Sequence, residues 1–470
     1  MRDASIPVFL LPAAPAAQES RFLLPGMTIL AVMFLGVAFW NGFPLMFYDT
    51  GAYLAEGISG AFLVERSPVY SLLLRFTGGG FSLWPVVILQ ALMTSYMISL
   101  TARIEVPGIT LKGLTLIGAG LTLLTGIDWY VGQVEPDCMT ALVLLGCYLL
   151  LFRDGNLDRA ARILVIAITA LSVASHPSHL GLIGGLLVVG AGLRVFAKLL
   201  PPQLPSKWPL PHLKLTGIAL ACSLAMTLAS NFAFAHAVFI SRSGPVFLFA
   251  RLMQDGIVQR LLDDTCPQSG YYLCPYRSRL PHNANAWLWG AGSLFHRDGG
   301  FAHSQAEDSR MIADSLKRYP LMQVRAALYD SVLQFFMFKT GDGIESQASI
   351  LRPELRKDAP GELPAYLRAR QQRQRIPFED LNMLHVTVGM LSLLGSVLLL
   401  HHAALRGRWD GAMLPGLVLV GLIGNAIICG TFSNPHDRYQ SRAIWLPALV
   451  LLLARTRDPN ALHPEEESGT

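Results

Sequence analysis

Charged residues are scarce in this chain of 470 residues: Asp, Glu, Lys and Arg make up only 15% of it, whereas a soluble domain carries roughly 25%. Hydrophobic residues make up 52%, and the mean hydropathy is +0.43. Several uncharged runs reach about 18 residues, and in water they would have no place to be buried. These features exclude an ordinary soluble enzyme, a disordered chain and a fibrous protein. The runs are continuous rather than alternating, which argues against a membrane β-barrel.

The chain also lacks the motifs of soluble nucleotide and peptide chemistry. It contains no P-loop, no glycine-rich dinucleotide fingerprint, no HExxH motif and no nucleophile elbow. The net charge is only +5, and this small excess does not indicate a nucleic-acid partner. No internal repeat is evident and few charges lie within the apolar runs, so the features of a repeat-built transporter are weak.

Hydropathy predicts an all-α polytopic membrane protein with about ten transmembrane helices and a mostly helical outer loop domain. Seven spans fall in residues 22–235 and three in residues 381–455, with the polar loop domain at 236–380 and a first outer loop at 43–82. The predicted spans are 22–42, 83–102, 113–127, 138–152, 163–176, 179–197, 215–235, 381–402, 412–430 and 443–454.

The placement of Lys and Arg predicts the orientation. Fifteen lie in one set of connections and four in the short connections of the opposite set. The long loop is not counted, because long loops translocate largely regardless of charge. We therefore expect the tails 1–21 and 456–470 to be cytoplasmic and the long loop to face the periplasm of a bacterial inner membrane.

Three acidic residues stand out on the predicted outer face. Asp49 directly follows the first span, where a carboxylate is costly and often functional. It is a candidate general base or, alternatively, the N-cap of a helix beginning near Thr50. Glu135 and Asp137 precede the fourth span and suit a divalent cation or an acceptor, or they cap a helix with Pro136 in its first turn.

Two histidines lie between the fifth and sixth spans. His176 and His179 form the short pattern SHPSHL. They could contact a phosphate or another part of the substrate, bind a metal ion, or simply shape the turn. Pro177 disfavours the helical conformation at His176 that a metal-binding pair would need.

The last outer connection is rich in basic residues. His436, Arg438 and Arg442 are candidates for a phosphate clamp, because a planar guanidinium binds two oxygens at once. Tyr439 between them could pack on a sugar ring. The alternative is arginine that snorkels to the interface beside an aromatic belt residue.

The N-terminal part of the chain resembles the C-type superfamily of polytopic membrane glycosyltransferases, including bacterial relatives of protein O-mannosyltransferases. The matching features are Asp49 after the first span, Tyr53, the basic-Pro-x-Tyr element Arg66-Ser67-Pro68-Val69-Tyr70, and Glu135-Pro136-Asp137 before the fourth span. The resemblance covers about 150 residues and implies that Asp49 is the general base or positions the acceptor. We count Asp137 as a second catalytic candidate and Tyr53, Arg66 and Tyr70 as substrate-binding candidates.

The resemblance implies an enzyme that moves a sugar from a polyprenyl-phosphate donor to a glycan, lipid or protein acceptor outside the membrane. Asp49 would deprotonate the acceptor and the anomeric centre would invert. A divalent cation is a possible cofactor. A lipid or glycan transporter or flippase, and a surface-glycan polymerase or ligase, are the alternatives.

The six cysteines fall into two groups. Cys266 and Cys274 lie eight residues apart in the long polar loop, and in an oxidising compartment this spacing predicts a disulfide. The other four lie in or beside predicted spans, where we expect small buried apolar residues: Cys138, Cys147, Cys222 and Cys429. Four aromatic residues of the same loop could stack on sugars or form the core of a small domain: Tyr271, Tyr272, Trp287 and Trp289.

The disulfide leads to a labelling prediction. Cys266 and Cys274 should not react with a thiol reagent until a reductant is added, because a disulfide sulfur has no free thiolate. In a matched Cys266→Ser variant, Cys274 should label without reductant. Labelling of both cysteines in the untreated wild-type protein would refute the bond.

Overall fold

The computed structural model describes residues 23–199, 209–302, 305–346, 348–373 and 376–457. Of these described residues, 76% are helical. The described residues contain no β-strand, and an isolated parallel bridge joins Leu45 to Gln133. The predicted tails 1–21 and 456–470 lie outside the described residues, except for the last turn of the final helix.

Twenty-four α-helices follow one another along the described ranges. They are α1 (Leu23–Phe34), α2 (Gly36–Asn41), α3 (Thr50–Leu54), α4 (Pro68–Phe76), α5 (Trp84–Glu105), α6 (Leu111–Leu124), α7 (Ile127–Val131), α8 (Met139–Phe152), α9 (Arg159–Ala174), α10 (Pro177–Leu199), α11 (Leu213–Ala235), α12 (Gly244–Gln254), α13 (Ile257–Thr265), α14 (Ala284–Trp289), α15 (Leu294–Arg297), α16 (Gln305–Arg318), α17 (Pro320–Phe336), α18 (Ala348–Asp358), α19 (Leu363–Arg368), α20 (Arg370–Arg373), α21 (Phe378–Leu405), α22 (Trp409–Phe432), α23 (Asp437–Ser441) and α24 (Trp445–Arg457).

Helices occupy all ten segments that hydropathy predicts as spans. Five of them are long and apolar enough to cross a membrane by length and composition: α5, α10, α11, α21 and α22. The other segments hold shorter helices, among them α1, α6 and α8. The prediction of an all-α membrane protein is therefore confirmed in its class.

Short polar side chains set several helix starts. The side chain of Thr110 accepts a hydrogen bond from the backbone N–H of Gly113 at the start of α6, and Asp158 accepts one from Ala161 at the start of α9. Each satisfies an amide that the helix leaves unpaired. Pro177 opens α10, where a missing N–H costs nothing.

A short apolar helix, α8, lies at the centre of the bundle. Thirteen of the 14 residues of α8 are buried, and the helix packs against α5, α9, α10, α11 and α22. It has no polar face because it meets apolar neighbours on every side. The residues at its two ends are therefore held firmly: Asp137 precedes the helix and Asp154 follows it. We call the end of the bundle at Asp137 the Asp49 end, and the end at Asp154 the opposite end.

The predicted loop domain 236–380 divides its packing between two cores. Its first part, α12 to α16, surrounds its own apolar cluster, in which Phe249, Trp287 and Phe295 are fully buried. Its second part packs on the main core of the bundle through Phe338, Leu351 and other side chains. Residues 236–380 thus contribute to two apolar cores.

Helix α17 belongs to this region and is polar on its inner side. Its buried residues are Gln323, Asp330, Ser331 and Gln334, and they face the protein. Its exposed side carries large apolar residues: Leu321, Val324, Leu328, Tyr329, Val332, Leu333 and Phe336. The helix packs along α22, one of the five candidate spans. A helix whose inner side is polar and whose exposed side is apolar fits an apolar environment.

The cysteines and aromatic residues of the sequence analysis have clear environments. Cys266 and Cys274 form a disulfide bond. Cys222 is exposed on α11, so the expectation that it is buried is wrong, while the other three cysteines of the bundle are buried. Tyr271 and Trp287 belong to the core of the loop region, whereas Trp289 is exposed.

Gly430 sets how closely α17 and α22 approach. A Cβ atom at this position would lie 2.7 Å from the backbone carbonyl of Asp330. We expect Gly430→Ala to lower the melting temperature of the purified protein, because overpacking costs about 1–3 kcal/mol.

Gly424→Ala is the matched control on the same helix. A Cβ atom there would meet its nearest neighbour, the Leu182 side chain, at an ordinary 3.5 Å. We expect this variant to melt at or above the wild-type temperature, because alanine favours the helix. Equal melting temperatures for the two variants would contradict the close approach.

Candidate active site

A short backbone pairing joins the segment between α2 and α3 to the segment before α8. Leu45 donates its N–H to the carbonyl of Gly132, and Val134 donates to the carbonyl of Leu45, both at 2.9 Å. Gln371 holds the same segment from the other side through both the N–H and the carbonyl of Met46. Asp49 is thereby placed beside the carboxylates that precede α8.

Asp49 stands at the start of α3 without capping it. Its side chain makes no hydrogen bond to the helix N-terminus, so the structure does not support the N-cap alternative. The carboxylate instead accepts a hydrogen bond from the guanidinium of Arg66, and its other oxygen lies 3.7 Å from Nη1 of Arg438. The Asp49 side chain is 19% exposed, so solvent still reaches it.

Asp137 forms a second ion pair, which is more deeply buried than the pair of Asp49. Its Oδ1 accepts a hydrogen bond from Nη1 of Arg442 at 2.7 Å, with side-chain exposures of 3% and 0%. Its Oδ2 lies 3.7 Å from Nε of Arg438. Asn425 on α22 lies 3.5 Å from Nη2 of Arg442. A buried charge without a counter-charge is strongly destabilising, so each of these two side chains needs the other.

These contacts form a continuous chain of alternating charges, which we call the ion-pair ladder: Arg66, Asp49, Arg438, Asp137 and Arg442. The ladder joins the first outer segment, the start of α8 and the α23 region. Its Arg66 end is part-exposed and its Arg442 end is fully buried. The accessible end can meet a ligand, while the buried end fixes its position.

Three polar atoms in the ladder have no hydrogen-bond partner among the described residues. They are Nε of Arg66, Oδ2 of Asp137 and Nε of Arg442. Buried polar groups are rarely left unsatisfied. The donor capacity left on Arg66, at the accessible end, suits an incoming anion.

Glu135 lies beside the ladder and differs from the other acids. It is 2% exposed, and its carboxyl lies 3.4 Å from the hydroxyl of Thr50. Burial, and then the charges of Asp49 and Asp137, raise the pKa of Glu135 well above its usual value. The charged form of Glu135 is therefore disfavoured in this environment.

Glu135 and Asp137 do not cap a helix through their side chains. Glu135 precedes a 3₁₀ turn, Pro136–Cys138, without a side-chain hydrogen bond to it. The helix-cap alternative for this pair is therefore not observed. Pro136 in the first turn directs the chain so that Asp137 points toward Arg442.

Tyr53 and Tyr70 are packed beneath the ladder. Their ring centroids are 4.9 Å apart in an edge-to-face arrangement. The Tyr70 hydroxyl donates to Oε1 of Gln90 at 2.6 Å, and Gln90 in turn donates to the carbonyls of Val131 and Gln133. Both tyrosines are buried, so the structure assigns them to supporting the outer segment rather than to an accessible surface.

His176 lies between α9 and α10, His179 lies in the first turn of α10, and both are held by the protein itself. His179 is fully buried, with one ring nitrogen 2.7 Å from the hydroxyl of Thr140 and the other 2.8 Å from the carbonyl of Ser172. His176 contacts the hydroxyl of Ser178 at 2.8 Å. These contacts favour the structural interpretation for His179, whose two nitrogens are both occupied. His176 is only partly buried.

His436 and Tyr439 lie on the outer side of the ladder. His436 contacts Asn434 at 2.9 Å and Asn285 of the loop region at 3.4 Å. The guanidinium carbons of Arg438 and Arg442 lie 5.3 and 5.4 Å from the Tyr439 ring centroid. This aromatic ring keeps the two guanidinium groups in place.

Sequence reasoning missed two residues beside Arg438. The Phe47 ring centroid lies 4.0 Å from its guanidinium carbon. Asp342 accepts a hydrogen bond from its backbone N–H at 3.1 Å and lies 3.4 Å from His436. Burial raises the pKa of Asp342, but the hydrogen bond and charge of His436 and the contacts of Arg438 outweigh it and leave that pKa below its usual value.

Asp342 had one sequence signal, which is its place between two glycines. Gly341 and Gly343 have φ angles of 108° and 76°, a region that favours glycine. Side chains at these positions would overlap the rings of Phe378 and Phe47. The tight turn delivers Asp342 to the ladder from the long loop.

The described residues hold no group of three or more His, Cys, Asp or Glu side chains arranged to bind a metal ion. The acids of the ladder are paired with arginine instead. No family model, no curated protein and no solved structure matches this chain.

The buried end of the ladder gives a stability prediction. Asp137→Asn leaves Arg442 without its counter-charge, and breaking a buried pair costs about 3–5 kcal/mol. We expect a large fall in the melting temperature of the purified protein.

Asp410→Asn is the matched control. Asp410 also meets an arginine, Arg153, at 2.7 Å, but its side chain is 65% exposed. Loss of such a surface pair costs about 0–1 kcal/mol. Equal falls for the two variants would contradict a special role for the buried pair.

Proposed function

We propose that this protein is a membrane glycosyltransferase that moves a sugar from a polyprenyl-phosphate donor to an acceptor, with inversion and with Asp49 as the general base. The observation that carries the proposal is the charge of the ion-pair ladder. It contains three guanidinium groups and two carboxylates. Its part-exposed end therefore attracts an anion, and a phosphate suits paired guanidinium groups.

The surroundings of Arg66 support a lipid-linked donor. A narrow cleft beside Arg66 is lined by Val64, by Leu180 of α10 and by Phe239 and Ile240 after α11. Both α10 and α11 are candidate spans. Ser67, Thr227, Asn231, Ser241 and Ser243 also line this cleft, and its volume is about 10 Å³. The support for a lipid-linked donor therefore lies in the neighbouring spans rather than in a preformed groove for the tail.

The ladder suggests how the donor would activate Asp49. A phosphate bound by Arg66 and Arg438 would compete with Asp49 for the same guanidinium groups. The released carboxylate would then accept the proton of the acceptor hydroxyl. The acceptor oxygen forms a bond to the anomeric carbon while the bond from that carbon to the phosphate oxygen breaks. The electron pair leaves with the phosphate, whose charge the arginines stabilise.

The remaining residues would act by support. Asp137 and Arg442 would hold Arg438 in place. His436 and Tyr439 lie where the acceptor or the sugar would approach. In this proposal Asp137 is a positioning residue rather than a second base.

The placement of basic residues supports the orientation. We propose ten spans with both termini in the cytoplasm of a bacterium, which puts the Asp49 end at the periplasmic face of the inner membrane. A surface-glycan polymerase or ligase would use the same class of donor at the same residues, and the acceptor separates these activities. A transporter or flippase would instead need no base at Asp49.

The proposal predicts a selective loss in Asp49→Asn. The amide cannot accept the proton, so release of polyprenyl phosphate from a panel of polyprenyl-phosphate sugars should fall about 10²–10⁴-fold. The assay uses the full chain in lipid vesicles with acceptor extracts of bacterial envelopes.

Asp410→Asn, at the opposite end of the bundle, should keep wild-type turnover. Melting temperatures of both variants establish that they are folded. Full transfer by a folded Asp49→Asn variant would end the general-base proposal.

A further inference from the structure

A second polar cavity lies at the opposite end of the bundle, far along α8 from the ion-pair ladder. Its volume is about 590 Å³, within the range of small-molecule sites. It opens between α9, α10 and the start of α11. Its polar lining consists of Arg162, Arg194, His212, Lys214 and Asp154.

The cavity has an excess of positive charge. Arg162, Arg194 and Lys214 carry fixed charges near neutral pH, and Asp154 is the acid among the lining residues. The Asp154 carboxylate lies 3.3 Å from Nδ1 of His212. Neither lining arginine forms an ion pair with an acid in the part of the chain that the structure describes.

Backbone carbonyls fix the two arginines without neutralising them. Arg162 donates to the carbonyl of Asp154 at 2.9 Å, and Arg194 donates to the carbonyl of Pro211 at 2.9 Å. The Nε atom of Arg162 is buried and has no hydrogen-bond partner among the described residues. The cavity thus holds oriented cationic donors with unused capacity, which suits an anion.

The neighbouring helix surfaces are apolar. Exposed side chains within about one turn of the cavity residues include Ile163 on α9, Val195 and Phe196 on α10, and Ile218 on α11. Both α10 and α11 are candidate spans. A ligand that fills the cavity with a phosphate would therefore have lipid-facing surface beside it for apolar chains.

We propose that this cavity binds the phosphate of an anionic phospholipid from the leaflet opposite the ion-pair ladder. The phosphate would contact Arg162, Arg194 and Lys214, and the acyl chains would lie against α9, α10 and α11. Basic pockets between transmembrane helices are known to take anionic headgroups. The proposal does not depend on the glycosyltransferase activity.

The test measures binding of phosphatidylglycerol to the purified full chain by native mass spectrometry and by thermal shift in detergent. We expect phosphatidylglycerol to bind and to raise the melting temperature, and phosphatidylcholine to do neither. Arg194→Gln with Lys214→Gln should weaken binding about five-fold for each removed charge. Arg162 is left unchanged because it also holds the chain before α9.

Arg406→Gln with Arg408→Gln is the matched control. These arginines are exposed at the same end of the bundle, where Asp410 of the following helix pairs with Arg153, and they do not line the cavity. This variant should keep wild-type affinity.

Three outcomes would overturn the proposal. One is an equal loss of affinity in both double variants, which would indicate a general charge effect. Another is equal binding of phosphatidylcholine. The third is displacement of phosphatidylglycerol by millimolar inorganic phosphate with the same thermal shift, which would assign the cavity to a soluble phosphate.

Discussion

The contact between Asp137 and Arg442 is the constraint on which the rest of the site depends. Both side chains are almost fully buried, and in such a place neither charge is tolerable alone. The pair ties the start of the central helix α8 to the chain just before α24. Once these two points are fixed, Arg438 lies one helical turn before Arg442 and reaches toward Asp49. The contact between Asp137 and Arg442 thus positions the accessible residues of the ladder, although no ligand needs to touch it.

The ladder changes its character along its length. At the Arg442 end the protein supplies the partners, and the side chains have little freedom. At the Arg66 end the side chains are part-exposed, and an anion can replace a carboxylate as partner. A rigid support beneath an exchangeable pair is the arrangement that a preorganised site needs.

Much of this could be predicted from sequence, for a physical reason. Carboxylates and guanidinium groups at membrane boundaries are costly, so they stand out against apolar neighbours. Asp49, Asp137, Arg438 and Arg442 were candidates as charged groups on the predicted outer face, whereas Arg66 was a candidate only through the family resemblance. The structure brings all five together. Asp342 was missed because it lies in a long polar loop, where an acid costs little, and the glycines on either side of it indicate only a tight turn.

Other contacts could not be predicted, because no sequence pattern identifies the residues that pair. The bond of His179 to Thr140 and that of Tyr70 to Gln90 join residues of different segments, and nothing in the local sequence pairs them. Helix α17 carries Arg325 and Asp330, so its hydropathy does not resemble a span. Only its packing on α22 shows that its polar side faces inward. The ten apolar segments were all found as helices.

The order of residues along the chain has a consequence for biogenesis. Asp49 and Arg66 are 17 residues apart, so a nascent chain can pair them as soon as the first outer segment emerges. Asp137 and Arg442 are separated by 305 residues. Until Arg442 has been synthesised, Asp137 lacks its final partner. The buried end of the ladder can therefore form only after the residues before α24 have been made.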